Sequence, residues 1–447
     1  MRRLTVALTL LATLASGSYL GSQAVSASGG RGTNILVVGI DSRTGISAAE
    51  KRRLHVGGKG CNCTDVMMLV HLSEDQRRAS VVSLPRDSYV EYAAPAGKAG
   101  DTGPARRGKI NGAYAIGGAD LTVRTVEKAT GLHIDHYLET GFTGFEQAVN
   151  NLGGATVCTD KPLFDENAGL DIAAGVHHTD GNGTLRYVRA RHINRPGDLG
   201  RVRRQQRVVT DLLARLTAEG ALAGPASAAR TAQALLKSVR TDDRTDLHDL
   251  IRIGWALGRL SADRTEFATV PIRVFDHRVP GVGSTLVWHE ARSQALWDAL
   301  GADRPITGDT RIQPAPDTSA ATNPAGIAVR VDDAAVAAAL RSNGFAVTDT
   351  SKSAPAVRPA GPPVISYPAG RDEDAATLAA ALPGSRLRAV PKGDKFFDVA
   401  VGARAVPVRK VTYDRNVAEG APVTAARLRC AGPPAQAAPV APAKGEG

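Results

Sequence analysis

Phenylalanine, tyrosine and tryptophan supply only 4% of this sequence, so the aromatic platforms on which single-stranded nucleic acids stack are poorly provided. Several catalytic signatures are missing as well. No Gly-x-x-x-x-Gly-Lys-Ser/Thr loop occurs, which excludes a P-loop nucleotidase. There is no Gly-x-Ser-x-Gly elbow and no His-Glu-x-x-His helix. The ten histidines show no metal-ligand spacing, and His177-His178 reads as a polar turn before Thr179-Asp180-Gly181. The apolar run from Leu4 to Ala15 falls short of the about 20 residues that a membrane span wants.

That run nevertheless fixes the compartment. It follows Met1-Arg2-Arg3 and leads to small residues ending Val25-Ser26-Ala27, the pattern of an export signal. Residues 1–27 are therefore a cleaved signal peptide or a retained anchor, and the folded part is expected outside the cytoplasm, at the membrane or in the wall. The four cysteines, Cys61, Cys63, Cys158 and Cys430, fit an oxidising space, where an even count suggests disulfides. Cys-x-Cys alone does not supply a metal set. A bridge from the 61/63 pair to Cys158 is expected, with the full pairing left open.

What is abundant is arginine. Between Arg186 and Arg207 eight arginines occur in 22 residues, with one acid, Asp198, and no lysine. A planar guanidinium grips phosphate oxygens bidentately and stays charged. Tyr187-Val188 suggests a strand whose alternation puts Arg189 and Arg191 on one face. Pro196-Gly197 then turns into a helix starting near Asp198, on which Arg201 and Gln205 lie at i, i+4. The net charge of +11 likewise points to an acidic partner.

Around this cluster the chain reads as α/β: a mixed central sheet flanked by helices over residues 34–303. A linker follows at 304–325, then a small α/β module at 326–402 and a low-complexity tail at 403–447. Ile35–Ile40 is a strand ending at Asp41. Val66–Leu72 and Ala79–Leu84 form an antiparallel hairpin that Asp65 opens and Ser83–Asp87 closes. If the first strand runs parallel to the second hairpin strand, Asp41, Asp65 and Arg86 gather at one sheet edge. Two carboxylates beside arginines suit Mg²⁺ (or Mn²⁺) held together with substrate phosphates. Lys109 and Asn111 are a further oxyanion contact or a helix N-terminus.

Asn34–Arg43, Thr64–Leu72, Ser83–Asp87, Lys109–Gly118 and Tyr187–Arg207 resemble, in order and spacing, the motifs of the LytR–CpsA–Psr family. The module from about 326 to 402 is similar to the LytR C-terminal domain. The resemblance implies a glycopolymer transferase acting on a polyprenyl-pyrophosphate-linked polymer of teichoic-acid, capsule or arabinogalactan type. The lipid lies in an apolar channel between sheet and helices, the acceptor is peptidoglycan, and the membrane surface is adjacent. By motif, Asp41 and Asp65 resemble the metal-associated carboxylates. Arg86, Arg189, Arg191, Arg201 and Gln205 resemble the pyrophosphate-binding set, with Asp198 orienting the loop. The chain departs from the pattern before Asp65, where Cys63-Thr64 stand in place of the frequent Arg-Ser. The general base stays open among Asp65, Asp87 and Asp198. A hydrolase using the same site with water as acceptor is the alternative. A DNA-binding regulator conflicts with the export signal, and nucleic acid is not expected as a partner. A non-catalytic wall-polymer binder leaves the carboxylates without a purpose.

Overall fold

The computed structural model describes residues 32–430 except 44, 58–59, 95–105, 192–197, 219–237, 244, 246, 314–319, 321, 349–360, 392–394, 403–405 and 417–419. Residues 1–27, expected to be an export signal or anchor, and the chain beyond Cys430 lie outside the described residues. No helix of the described residues is long and apolar enough to cross a membrane.

Seven strands form the central sheet: β1 (Thr33–Ile40), β2 (Thr64–Leu72), β3 (Ala79–Ser83), β4 (His136–Thr140), β5 (Arg240–Thr241), β6 (Thr265–Thr269) and β7 (Val423–Thr424). Their spatial order is β5-β4-β1-β2-β3-β6-β7. Strand β2 is antiparallel to β1 and β3, while the β1–β4 and β3–β6 pairs are parallel. The sheet is thus mixed, and the ends of β1, β3, β4 and β6 share one edge with the start of β2. Asp41, Asp65 and Arg86 reach that edge by the route the hairpin argument predicts.

Period-2 alternation divides the apolar residues between two faces. Leu36, Val38 and Ile40 of β1, with Met67 and Leu69 of β2, pack on Leu121 and Val126 of α2 (Gly112–Thr130) and on Leu296 and Leu300 of α7 (Glu290–Gly301). On the other face Val66, Met68 and Val70 meet Val209 and Leu213 of α5 (Asp198–Ala218). Ile253 and Ala256 of α6 (Leu247–Gly258) pack beside Ile35 and Leu72. Helices therefore cover both faces. A separate five-stranded sheet, ordered 346–347, 328–331, 397–400, 364–368, 386–390, carries its own core of Val329, Leu340, Ile365, Leu378 and Phe397.

Three expectations need correction. Tyr187-Val188 lies in a helix, α4 (Gly181–Arg189), capped by the Asp180 carboxylate accepting Gly183 N–H at 2.7 Å. Apolar Leu185 and Val188 turn inward together at helical spacing, and that outweighs the alternating arginines. The cysteines pair as Cys61–Cys63 and Cys158–Cys430, so no bridge joins the 61/63 pair to Cys158. The segment before Cys430 is also built into the fold, although its composition suggests a tail. Val423 pairs with Phe267, which extends the sheet past β6. The Asn416 amide brackets the Ile272 backbone at 2.7 and 2.8 Å, and α8 (Ala425–Leu428) buries Leu428. Covering an otherwise open strand edge is the physical gain.

Candidate functional site

A cavity of about 370 Å³ opens at the shared sheet edge, between the sheet and helices α3 (Phe142–Asn151), α4 and α5. Its wall is apolar: Val37, Val66 and Met68 from the sheet, Phe142 and Phe145 from α3, Leu185 and Val188 from α4, Val208 and Val209 from α5. Its polar lining is mostly charged: Asp41, Arg43, Asp65, Arg86, Asp165, Arg189, Arg191 and Arg201, with neutral Asn167 and Gln205.

A β-bulge aims Asp65 into this space. Gly39 opposes Val66, but Ile40 opposes Thr64, so Asp65 is the extra residue on β2. In an unbroken ladder Asp65 would oppose Ile40 and face the core. The bulge gives that buried place to Thr64 and leaves the carboxylate at the cavity. Arg86 Nη1 donates to Asp65 Oδ1 at 2.5 Å, and Arg191 Nη2 lies 3.7 Å from the same oxygen. Burial alone would raise the Asp65 pKa; the guanidiniums of Arg86, Arg201 and Arg191 overcome that and hold it below the ordinary carboxylate value.

The other cations are anchored differently. Arg189 donates to the carbonyls of Leu54 at 2.8 Å and His55 at 3.0 Å, and its guanidinium lies 5.1 Å from the Phe142 ring centroid. Burial lowers its pKa, yet from an ordinary value high enough to keep the group charged. The Arg191 backbone N–H donates to the buried carboxylate of Asp165 at 2.5 Å. Arg201 and Gln205, one turn apart on α5, are both buried, and Gln205 also reaches the Val188 carbonyl at 3.4 Å. Not every arginine of the run faces the cavity. Arg204 holds the carbonyls of Tyr187 and Ala190, and Arg186 holds those of Gly169 and Arg53, so both act as interhelix ties.

Two candidates stand apart from the cavity lining. Lys109 Nζ pairs with Asp87 at 2.7 Å, and Asp87 is 3.5 Å from Arg86 Nε. Asn111 is the N-cap residue of α2, and its backbone N–H donates to the Arg86 carbonyl at 3.3 Å. Both residues thus brace the Arg86 loop from behind. Asp198 opens α5, but its side chain lies outside the described residues. Sequence reasoning passed over Arg43, Asp165 and Phe142. The Asp-x-Arg spacing after a strand was the available signal for Arg43; nothing local marked the other two.

Oxygen donors of this kind suit a hard divalent cation. Among the described residues no group of three or more His, Cys, Asp or Glu forms a metal cage. Asp41 and Asp65 line one cavity instead, and one or two carboxylates could hold such a cation together with phosphate oxygens.

Comparison with known proteins places these features in a family. Residues 321–404 match the model described as LytR cell envelope-related transcriptional attenuator. Over 271 residues the chain is 36% identical to the probable cell wall biosynthesis protein LcpB of Corynebacterium glutamicum, covering 60% of this chain and 61% of that protein. It is 34% identical over 167 residues to the polyisoprenyl-teichoic acid–peptidoglycan teichoic acid transferase TagV of Bacillus subtilis, covering 36% and 40% respectively. The crystal structure of Bacillus subtilis TagV superimposes with a TM-score of 0.49 at 23% identity, over 62% of this chain and 99% of that one. The chain thus spans about three fifths or less of the length of these two named relatives. Residues 15–301, well over half of the sequence, match the LytR–CpsA–Psr family model, and the chain belongs to that family.

Proposed function

We propose that this protein transfers a glycopolymer phosphate from a polyprenyl-pyrophosphate carrier to a hydroxyl of peptidoglycan, outside the cytoplasm at the membrane surface. One observation carries the reading: a single cavity joins an apolar wall of Val37, Met68, Phe142, Phe145, Leu185, Val208 and Val209 to five arginines and three carboxylates. Few ligands other than a lipid with a polyanionic head use both halves. The relative TagV, a polyisoprenyl-teichoic acid–peptidoglycan teichoic acid transferase, has the same donor chemistry.

In the reaction the acceptor oxygen attacks the phosphorus bearing the sugar. The bond from that phosphorus to the bridging oxygen breaks, and polyprenyl phosphate leaves. Arg86, Arg191 and Arg201 neutralise charge on the phosphoryl oxygens, already positioned by Asp65, Asp165 and the α5 helix. Arg189, fixed by the Leu54 and His55 carbonyls, closes the apolar side of the same head. Asp41 and Asp65 would hold Mg²⁺ or Mn²⁺, which when bound supplies further charge neutralisation. Asp65 lines the cavity, whereas Asp87 is engaged by Lys109 behind it; of the two, Asp65 is the one placed to receive the acceptor proton.

Purified protein incubated with a polyprenyl-pyrophosphate-linked glycan and peptidoglycan fragments should yield a phosphodiester-linked product. Release of free glycan phosphate alone, with acceptor present, would assign hydrolysis instead.

A further inference from the structure

The Asp41 carboxylate is buried at the cavity edge and both its oxygens are taken by one neighbour. Arg43 Nε donates to Oδ1 at 2.8 Å and Nη2 to Oδ2 at 3.0 Å. The remaining guanidinium nitrogen, Nη1, is held by the Gly57 carbonyl. A Cβ on Gly60 would stand 3.1 Å from Arg43 Cγ and 3.2 Å from the Asp41 carbonyl oxygen, so the loop lies flat on the pair. The Asp41 N–H is fixed in turn by the Cys63 carbonyl at 2.9 Å, inside the Cys61–Cys63 bridge.

We propose that Arg43 is a built-in countercation: it neutralises Asp41 and competes with a divalent cation for that carboxylate. This rests on the donor and metal reading above. A buried carboxylate without a partner is costly, so the resting site needs a positive charge where a cation is to bind. A two-residue separation supplies it. Once a pyrophosphate head enters, its oxygens offer the guanidinium an equally good bidentate partner, and Arg43 can release Asp41 without being left unpaired. Arg43 is thereby a positioning residue that couples cation binding to phosphate binding.

The test uses Mn²⁺ as probe, with paramagnetic resonance of the free ion, on the full chain and on Arg43→Ala, Arg43→Lys and Asp41→Asn. Without pyrophosphate, Arg43→Ala should bind Mn²⁺ about tenfold tighter than wild type, the low end of what an opposite charge in contact does to a carboxylate's affinity for a cation. Arg43→Lys, which keeps a charge but loses the fork, should fall between them. With inorganic pyrophosphate present, the advantage of Arg43→Ala should shrink, since wild-type Arg43 then has phosphate as partner. Equal or weaker Mn²⁺ binding by Arg43→Ala, with unchanged thermal unfolding and with Asp41→Asn abolishing the site, overturns the countercation alone. Mn²⁺ binding untouched by Asp41→Asn overturns the metal assignment and the countercation together.

Discussion

Arg86 and Asp65 meet across the open end of one hairpin, with Nη1 2.5 Å from Oδ1. They lie 21 residues apart, and the contact depends on the bulge that turns Asp65 off the β2 ladder. In the proposed reaction such a pair would set charge and place for a phosphate. Replacing Arg86, Arg191 or Arg201 by Ala should lower the transfer rate by roughly 10²–10³, about 3–4 kcal/mol of barrier, the usual loss for one charge-stabilising donor. Lysine should rescue poorly because it lacks the fork. Arg189→Ala should also lower thermal stability, since it strips partners from two backbone carbonyls and uncovers Phe142. Arg278→Ala, at a largely exposed position, is the control and should keep wild-type rates. Near-normal transfer by the Arg86, Arg191 and Arg201 variants would reduce the cluster to a solvated basic face.

The depressed pKa of Asp65 sets a pH dependence with a definite sign. A carboxyl whose folded pKa is lower than its unfolded one stabilises above the unfolded value, near 3.9 for Asp. That contribution is lost as pH falls from there through the folded pKa. Urea unfolding from neutrality downward should therefore show a loss below about pH 4 that is shallower in Asp65→Asn. The variant should be the less stable of the two at neutral pH. Parallel pH profiles for both proteins would show that Asp65 is not held by its arginines.

Much of this was legible in the sequence because it follows from strand order. Asp41, Asp65 and Arg86 sit at strand ends, and alternating β1, β2 and β3 leaves them at one edge whatever the details. The bulge was not legible, since one extra residue in a ladder changes no local pattern. Nor was α4: Gly181 and Gly183 in its first turn suggest a turn, not a helix. Gly181 is there because helix α3 passes so close that a Cβ would stand 2.2 Å from the Glu146 carbonyl oxygen. That requirement is tertiary. The same holds for Val423 and Leu428, which join a cluster with Met68, Val81 and Phe267 far upstream.

The disulfides differ in what they tie. Cys158–Cys430 spans 272 residues, and Cys61–Cys63 spans two. In the chain-entropy account a long loop gains most, roughly 4–5 kcal/mol. Cys430→Ser should therefore lower the thermal midpoint markedly, and reductant should do the same to wild type but much less to the variant, which keeps only the Cys61–Cys63 bridge. Non-reducing peptide mapping should recover a 158–430 pair; a 61–158 or 63–158 pair would refute the arrangement.

The apolar half of the cavity gives the sharpest check on the donor. Val209 and Met68 line it from facing layers, Val209 two turns along α5 from Arg201, so a larger apolar side chain there alters room without altering charge. Enlarging a side chain in a filled core costs about 1–3 kcal/mol through strain; here the new bulk enters open space, so Val209→Phe should fold normally. A long polyprenyl tail would lose its seat, while a donor with a short tail would still present its pyrophosphate to Arg86, Arg191 and Arg201. The expected outcome is a KM raised several-fold for the long-chain donor and unchanged for the short-chain one, with kcat similar for both. Equal effects on the two donors would mean that the tail does not lie between the sheet and α5, and the cavity would have to be assigned to the glycan.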